Sequence, residues 1–134
     1  MLAKINEWNN IMINLSFDYQ ENILNVKPLG SINLVDILNG YENLINNKSL
    51  PKELKILVDY RETVINISED ELPFIIEKVE ILLENFISIK QAIIHDNPKS
   101  TAFAMLISLH IKSEKYRLQI FSTIESAKRW LIFN

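Results

Sequence analysis

Three short polar segments follow apolar runs of this chain. Their side chains include the types that serve in acid–base catalysis and in anion binding. These segments are Asp59-Tyr60-Arg61, His95-Asp96 and Ser122-Thr123. Asp59 and His95 are the pair to consider for general acid–base catalysis, which needs groups with shifted pKa values within hydrogen-bond distance. Arg61 would then contact an anion, because a guanidinium binds carboxylate or phosphate through two parallel hydrogen bonds.

A binding rim is the second interpretation of these segments. Open α/β sheets bind ligands outside the carboxyl ends of their strands. If the strands are neighbours, a ligand or partner rim would contain Asp59, Tyr60, Arg61, His95, Asp96 and Ser122. Loops at strand ends are also polar simply because they must be solvated. We favour solvation and keep the binding rim as the alternative.

Metal binding and other catalytic sites have weaker support. Asp59, His95 and Asp96 could form a metal site, but such sites need three or more ligands in a defined geometry. The chain has only two histidines, and the other, His110, lies on a different predicted element. We find no glycine-rich phosphate loop, nucleophile elbow or paired-carboxylate signature. We therefore predict no metal, no cofactor and no enzymatic activity.

Ser68 lies at the start of a predicted helix. A phosphate there would gain from the helix dipole and from unpaired N–H groups, so Ser68 is a candidate phosphorylation site. Ser68 and Glu71 also have the spacing of a capping box, which explains the serine without modification.

The elements that must position these residues follow from the apolar periodicity. Strands are predicted at residues 11–19, 23–26, 54–59, 91–95 and 116–121. The first two form an antiparallel hairpin that Pro28 ends, because proline cannot donate to a ladder. The 11–19 strand is expected at the sheet edge.

Four predicted helices alternate with the later strands. They begin at Ser31 or Asn33, at Ser68 or Asp70, at Ser100, and at Ser122 with Glu125 as its capping-box partner. The first ends at Ile45 and the second at about Ser88, and the last carries the apolar face Ala127, Trp130 and Leu131. The order β-β-α-β-α-β-α-β-α predicts an α/β fold with a mixed, mostly parallel sheet flanked by helices.

Composition limits the class of protein. The chain has 134 residues, 48% hydrophobic and 23% charged, which is typical of one globular domain. We predict a single domain over 1–134, with 1–10 a loose N-terminal segment. The net charge of -3 and the scattered lysines argue against nucleic-acid binding. The sequence has no cysteine, no signal-peptide pattern and no membrane-spanning run, so we expect a cytoplasmic protein.

The chain resembles the STAS superfamily, specifically its small bacterial SpoIIAA-like branch. The resemblance rests on LKILVDYR (54–61), SEDEL (68–72), QAIIHDNP (91–98) and above all IFSTIESAKRWL (120–131). It covers the chain from about Ile11 to the end. It implies a non-enzymatic regulatory domain similar to anti-sigma factor antagonists.

The regulatory serine of that family does not match here. In the family it follows the aspartate of the central strand closely and precedes a Ser-Gly pair, whereas Asp59 is followed by Tyr60 and Arg61. The first serine after the strand is Ser68, so the phosphoswitch motif is absent as such. Some relatives resemble the lipid-carrying CRAL-TRIO fold, which implies lipid contact as a second function.

Three functions remain, and they predict different structures. The first is a protein-interaction module with Ser68 as its candidate point of modulation, a closed core and an exposed apolar patch. The second is a carrier or sensor of a small or lipid-like ligand, with an apolar cavity on the order of several hundred Å³ and few polar anchors. The third is an enzyme in which Asp59 and His95 converge in a cleft. An exposed edge strand would also support a homodimer.

Overall fold

The computed structural model describes residues 2–8, 11–95 and 97–134, and for residues 2–8, 11 and 12 it describes the backbone only. The strands are β1 (Leu2–Trp8), β2 (Ile11–Asp18), β3 (Ile23–Ile32), β4 (Glu53–Asp59), β5 (Thr63–Ile65), β6 (Ser88–Ile94) and β7 (Tyr116–Phe121). The helices are α1 (Leu34–Asn46), α2 (Leu72–Leu83), α3 (Pro98–His110) and α4 (Ile124–Phe133). The predicted α/β class and the predicted alternation are confirmed, and β1 and β5 are additional.

The sheet is antiparallel at its N-terminal side and parallel elsewhere. Its order is β1-β2-β3-β4-β6-β7, and β5 pairs with β3. The pairs β1–β2 and β2–β3 are antiparallel, whereas β3–β4, β3–β5, β4–β6 and β6–β7 are parallel. The predicted hairpin is therefore confirmed as β2–β3. The expected edge position of its first strand is wrong, because β1, within the segment predicted to be loose, pairs along the outer side of β2.

Pro28 lies inside β3 and does not end it, contrary to the prediction. The strand continues to Ile32 because it changes its parallel partner on the way. Residues 24–26 pair with β4, and residues 30–32 pair with β5. Pro28 falls between these two ladders, where its missing N–H interrupts neither. Its carbonyl accepts a hydrogen bond from the Thr63 hydroxyl at 2.7 Å.

The cap of α1 is one of the predicted alternatives, whereas the N-cap of α2 is Glu71, which was not predicted. Asn33, one of the two candidates for α1, is its N-cap. Ser68 and Glu71 form their capping box around a 3₁₀ turn, Glu69–Glu71, and Pro73 falls in the first turn of the α2 helix that follows. Ser68 therefore begins the 3₁₀ turn and not α2, and the predicted start at Asp70 is wrong because Asp70 lies within that turn. The helix ends at Leu83, earlier than predicted, because β6 already begins at Ser88.

The caps of α3 and α4 differ from the predicted ones. Asn97 caps α3 in place of Ser100, since Pro98 fits the first helical turn and starts the helix earlier. Thr123 caps α4 in place of Ser122, and its hydroxyl accepts the Ser126 N–H at 3.2 Å. Glu125 therefore does not complete the capping box that was predicted for it.

The sheet carries an apolar core on each face. Alternate residues of β4 point to opposite sides: Ile56 and Val58 belong to the core under α1, α2 and α3, whereas Leu57 belongs to the core under α4. The predicted α4 face is confirmed, because Ala127, Trp130 and Leu131 are all buried.

Candidate functional site

The polar segments that follow β4, β6 and β7 meet at the carboxyl-terminal end of these strands, which we call the strand-end edge. β4, β6 and β7 are neighbours and parallel, so their carboxyl ends lie side by side. The Tyr60 N–H donates to the Ile94 carbonyl at 2.9 Å, and the His95 N–H donates to the Phe121 carbonyl at 3.3 Å. Ser122 is exposed at the same edge, and Asp96 lies outside the described residues.

Asp59 and Arg61 form a closed ion pair at this edge. The guanidinium donates from Nε to Oδ1 at 2.9 Å and from Nη2 to Oδ2 at 2.8 Å, and the Arg61 backbone N–H adds a bond of 3.0 Å. Burial alone would raise the pKa of the Asp59 carboxyl, but the bonds from Arg61 outweigh it and the net pKa is lowered. The Arg61 guanidinium, which was predicted to contact an anionic ligand, is thus occupied by the Asp59 carboxylate.

His95 is buried and takes part in the start of α3. Its Nδ1 accepts the Asn97 N–H at 2.9 Å, and its ring centroid lies 6.1 Å from that of Tyr60. Over residues 2–8, 11–95 and 97–134, no group of three or more His, Asp or Glu side chains is arranged to hold a metal ion.

Ser68 is exposed and already engaged with Glu71. One carboxylate oxygen of Glu71 accepts the Ser68 N–H at 2.9 Å and the Ser68 hydroxyl at 3.3 Å. The serine therefore holds the turn that leads into α2, which is the capping role that the sequence predicts.

A cavity between α1 and the sheet was not located by sequence reasoning. It has a volume of about 130 Å³, smaller than the carrier hypothesis anticipated. Its walls are mostly apolar and come from β2, β3 and β4 on one side and α1 on the other. They include Leu15, Val26, Val58, Ile37 and Leu44. Gly40 also lines the cavity and has no side chain to fill it.

Gln91, on the wall of this cavity, belongs to a buried tyrosine–glutamine cluster. Gln91 is buried, and its Oε1 accepts the Tyr116 hydroxyl at 3.0 Å. Tyr41 lies beside Gln91 and Tyr116. Burial raises the pKa of Tyr41, Tyr60 and Tyr116. All three phenols therefore stay neutral at physiological pH.

A second, smaller cavity of about 60 Å³ lies beyond the cluster, between the sheet and α2 and α3. Four residues line both cavities: Ile37, Tyr41, Tyr60 and Gln91. The predicted rim residue Tyr60 therefore joins the strand-end edge to the interior.

Asp36 is the acidic residue on the wall of the larger cavity. It is only 4% exposed, and its Oδ2 accepts the Asn33 N–H at 2.9 Å. Its other oxygen, Oδ1, is buried and has no hydrogen-bond partner within the described part of the chain. Sequence reasoning did not single out Asp36 or Gln91. Asp36 could have been found from its position three residues after the helix cap Asn33, and Gln91 as the one amide in the apolar run QAIIH.

Comparisons with known proteins bear on the fold. The sequence matches no protein-family model and no curated protein. One similar solved structure is that of an uncharacterized protein of the DUF3478 family from Shewanella loihica PV-4, which has a SpoIIAA-like fold. The likeness has a TM-score of 0.57 at 17% identity and covers 98% of this chain and 96% of that chain.

Within the described residues, every helix is too short or too polar to cross a membrane. The strand and helix order, together with the structural likeness over nearly the whole chain, shows that this protein has the SpoIIAA-like (STAS) fold.

Proposed function

We propose that this protein is a non-enzymatic STAS-like module that binds a small, mainly apolar molecule between α1 and the sheet, as a carrier or sensor. The observation that carries the proposal is the cavity itself, with its largely hydrocarbon walls and few polar groups. Ligand sites typically combine an apolar lining with a small number of placed polar groups. The cytoplasm stays its predicted location.

The cavity volume sets the size of the ligand. An apolar cavity of about 150 Å³ is known to hold benzene. The cavity here measures about 130 Å³, so a molecule built around one ring or a short chain fits its volume. A long lipid chain would need the second cavity of about 60 Å³ to open into the first.

The strand-end edge gives less support to an enzymatic function. Asp59 and Arg61 neutralise each other there, and His95 uses Nδ1 to accept the Asn97 N–H. A general base must have its basic atom within reach of a substrate proton. The acid–base hypothesis would require the Asp59–Arg61 pair to open first.

The test is ligand-observed NMR with toluene, phenol and indole as probes. We expect saturation transfer from the wild-type protein, and its loss in Val26→Phe and in Leu44→Phe, which fill the cavity from opposite walls. Two fillers guard against one of them unfolding. Ile124→Phe, on the α4 face, is the matched control and should keep the signal. Equal signals in all four proteins, or none in the wild type, would overturn the proposal.

A regulatory module that docks a protein partner is the second candidate. It is favoured by Met105 and Leu109, which lie one turn apart on α3 and are 59% and 70% exposed. The partner would present an apolar side chain to this turn. Leu109→Glu should abolish capture of a partner that Phe133→Glu, at the exposed end of α4, leaves intact. Ser68 phosphorylation belongs to this candidate, and mass spectrometry of protein from its host would reveal it.

A further inference from the structure

We infer that Tyr60 separates the larger cavity from the smaller one and thereby limits the length of the molecules that the protein binds. The ligand is then an uncharged molecule built around a single ring or a short chain, and a molecule with a long tail is rejected. The inference rests on the proposed function and adds the residue that determines its specificity.

The two cavities lie side by side on the sheet face that α1, α2 and α3 cover. The larger is bounded mainly by β2, β3, β4 and α1, and the smaller mainly by β6, β7, α2 and α3. Ile37 and Tyr41 on α1, Gln91 on β6 and Tyr60 directly after β4 line both cavities. Residues that line two neighbouring cavities lie at the boundary between them, so these four form the partition.

The Tyr60 side chain packs towards both cavities. It contacts the cluster of Ile13 and Ile32, which line the larger cavity. It also packs against the main core cluster, whose member Ile75 lines the smaller cavity. The backbone holds the ring in this place, because the Tyr60 N–H donates to the Ile94 carbonyl at 2.9 Å.

Tyr60 is also the member of the partition whose side chain is least committed to other contacts. Gln91 is buried and accepts the Tyr116 hydroxyl, and Ile37 and Tyr41 lie one turn apart on α1. Within the described part of the chain, Tyr60 makes its hydrogen bonds through the backbone. Replacing its ring therefore widens the boundary and leaves the hydrogen bonds of the sheet in place.

The volume and charge of the smaller cavity define what could pass the partition. Its volume of about 60 Å³ is well below the roughly 150 Å³ that holds benzene, so it can take a tail but no ring. Among the described residues, its lining contains no charged side chain. A charged tail would lose its hydration there without gaining a partner, so the tail must be uncharged.

The experiment uses phenol and its para-ethyl, para-butyl and para-hexyl derivatives, which share a ring and differ in tail length. Dissociation constants are measured by NMR titration of the full chain. For the wild type, we expect the affinity to stop rising beyond the ethyl tail. For Tyr60→Val, we expect it to keep rising, by about fourfold for each further methylene that becomes buried. Tyr60→Ala is a second opening variant, in case one of the two fails to fold.

Two controls accompany these variants. Tyr60→Phe keeps the ring and should keep the wild-type limit on tail length. Tyr19→Val makes the same change as Tyr60→Val at an exposed position outside both cavities, and it should match the wild type. The methyl groups of Ile75 and Ile107, which line the smaller cavity alone, report where the tail lies. Para-hexylphenol should shift them in Tyr60→Val and leave them unshifted in the wild type.

The outcomes separate this inference from the function on which it rests. If the wild type and Tyr60→Val bind phenol and show the same dependence on tail length, the partition is refuted and the binding function stands. A gain of tail length in Tyr60→Phe would also overturn the inference, since the ring is still present there. If none of the phenols binds the wild type, both are overturned.

Discussion

Asn33 and Asp36 bond to each other in both directions at the start of α1. The Asp36 N–H donates to Asn33 Oδ1 at 3.1 Å, and the Asn33 N–H donates to Asp36 Oδ2 at 2.9 Å. This reciprocal cap holds a carboxylate in one orientation at the positive end of the helix dipole. Oδ2 thus serves the helix cap, while Oδ1 is buried and has no hydrogen-bond partner within the described part of the chain.

Tyr116→Phe should destabilise the protein by about 1–2 kcal/mol, because it removes the donor to the buried Gln91 Oε1 and leaves that acceptor underused. The ring, and hence most of the apolar contact, is kept. Tyr19→Phe is the matched control: Tyr19 is 69% exposed. Its effect on the free energy of unfolding should stay within about 0.5 kcal/mol. Urea denaturation of both variants measures the difference, and equal effects would contradict the buried network.

Arg61→Gln should lower stability at pH 7 by more than the loss of an exposed ion pair does, because Asp59 is buried and would lose its charged partner. The folded pKa of Asp59 is lowered in the wild type, so its stabilisation is present above the unfolded value of about 3.9 and is lost as the pH falls through the folded value. The difference between wild type and variant should therefore be largest above about pH 4 and shrink in acid.

The control for this pair is Lys128→Gln. Lys128 pairs with Glu21 at 3.0 Å, and both side chains are about one-third exposed. Removing such a pair should change the free energy of unfolding by about 0–1 kcal/mol. Denaturation curves from pH 3 to pH 8 would refute the Asp59–Arg61 account if the two variants showed the same pH dependence.

Thr63→Val should cost about 1–3 kcal/mol, since the Pro28 carbonyl loses its 2.7 Å hydrogen bond at a buried site while the side-chain shape is preserved. Thr101→Val removes a comparable hydroxyl from the exposed surface of α3. Its effect should stay within about 0.5 kcal/mol. Thermal unfolding, followed by circular dichroism, compares the two variants. If Thr63→Val left the stability unchanged, the pairing of β5 with β3 would not depend on this hydrogen bond.

Lys90→Met should destabilise α4 by about 1–2 kcal/mol. The ammonium donates to the Trp130 carbonyl at 2.6 Å and the Leu131 carbonyl at 3.3 Å, and it lies 4.8 Å from the Trp130 ring centroid. Methionine keeps the apolar stem and removes the charge. The control Lys55→Met lies directly across the sheet from Lys90. It should be neutral or slightly stabilising, because it relieves a like-charge cross-strand pair. Trp130 fluorescence during denaturation reports on both.

Most of the fold could be predicted from patterns among residues that are close in the sequence. The Ala127, Trp130 and Leu131 stripe was readable because helical periodicity depends only on near neighbours in the sequence. The continuation of β3 through Pro28 was not readable, since it depends on a change of partner between two distant strands. The shift of the α4 cap from Ser122 to Thr123 lies within the uncertainty that adjacent hydroxyl residues always leave.

The cavity escaped prediction for a related reason. Its volume depends on how Gly40 and its neighbours on α1 fit against β3 and β4, and no sequence pattern encodes that fit. The strand-end edge was readable because parallel neighbours bring their ends together. Its closure by the Asp59–Arg61 pair required the side-chain geometry.

The central claim is that the space between α1 and the sheet binds a small molecule. The most direct measurement is a methyl NMR titration of the full chain with benzyl alcohol. The account predicts saturable shifts at the methyl groups of Val26, Leu44 and Val58, which line the cavity, and none at Leu131 on the α4 face. Unchanged methyl signals at the cavity, or shifts confined to Leu131, would contradict it.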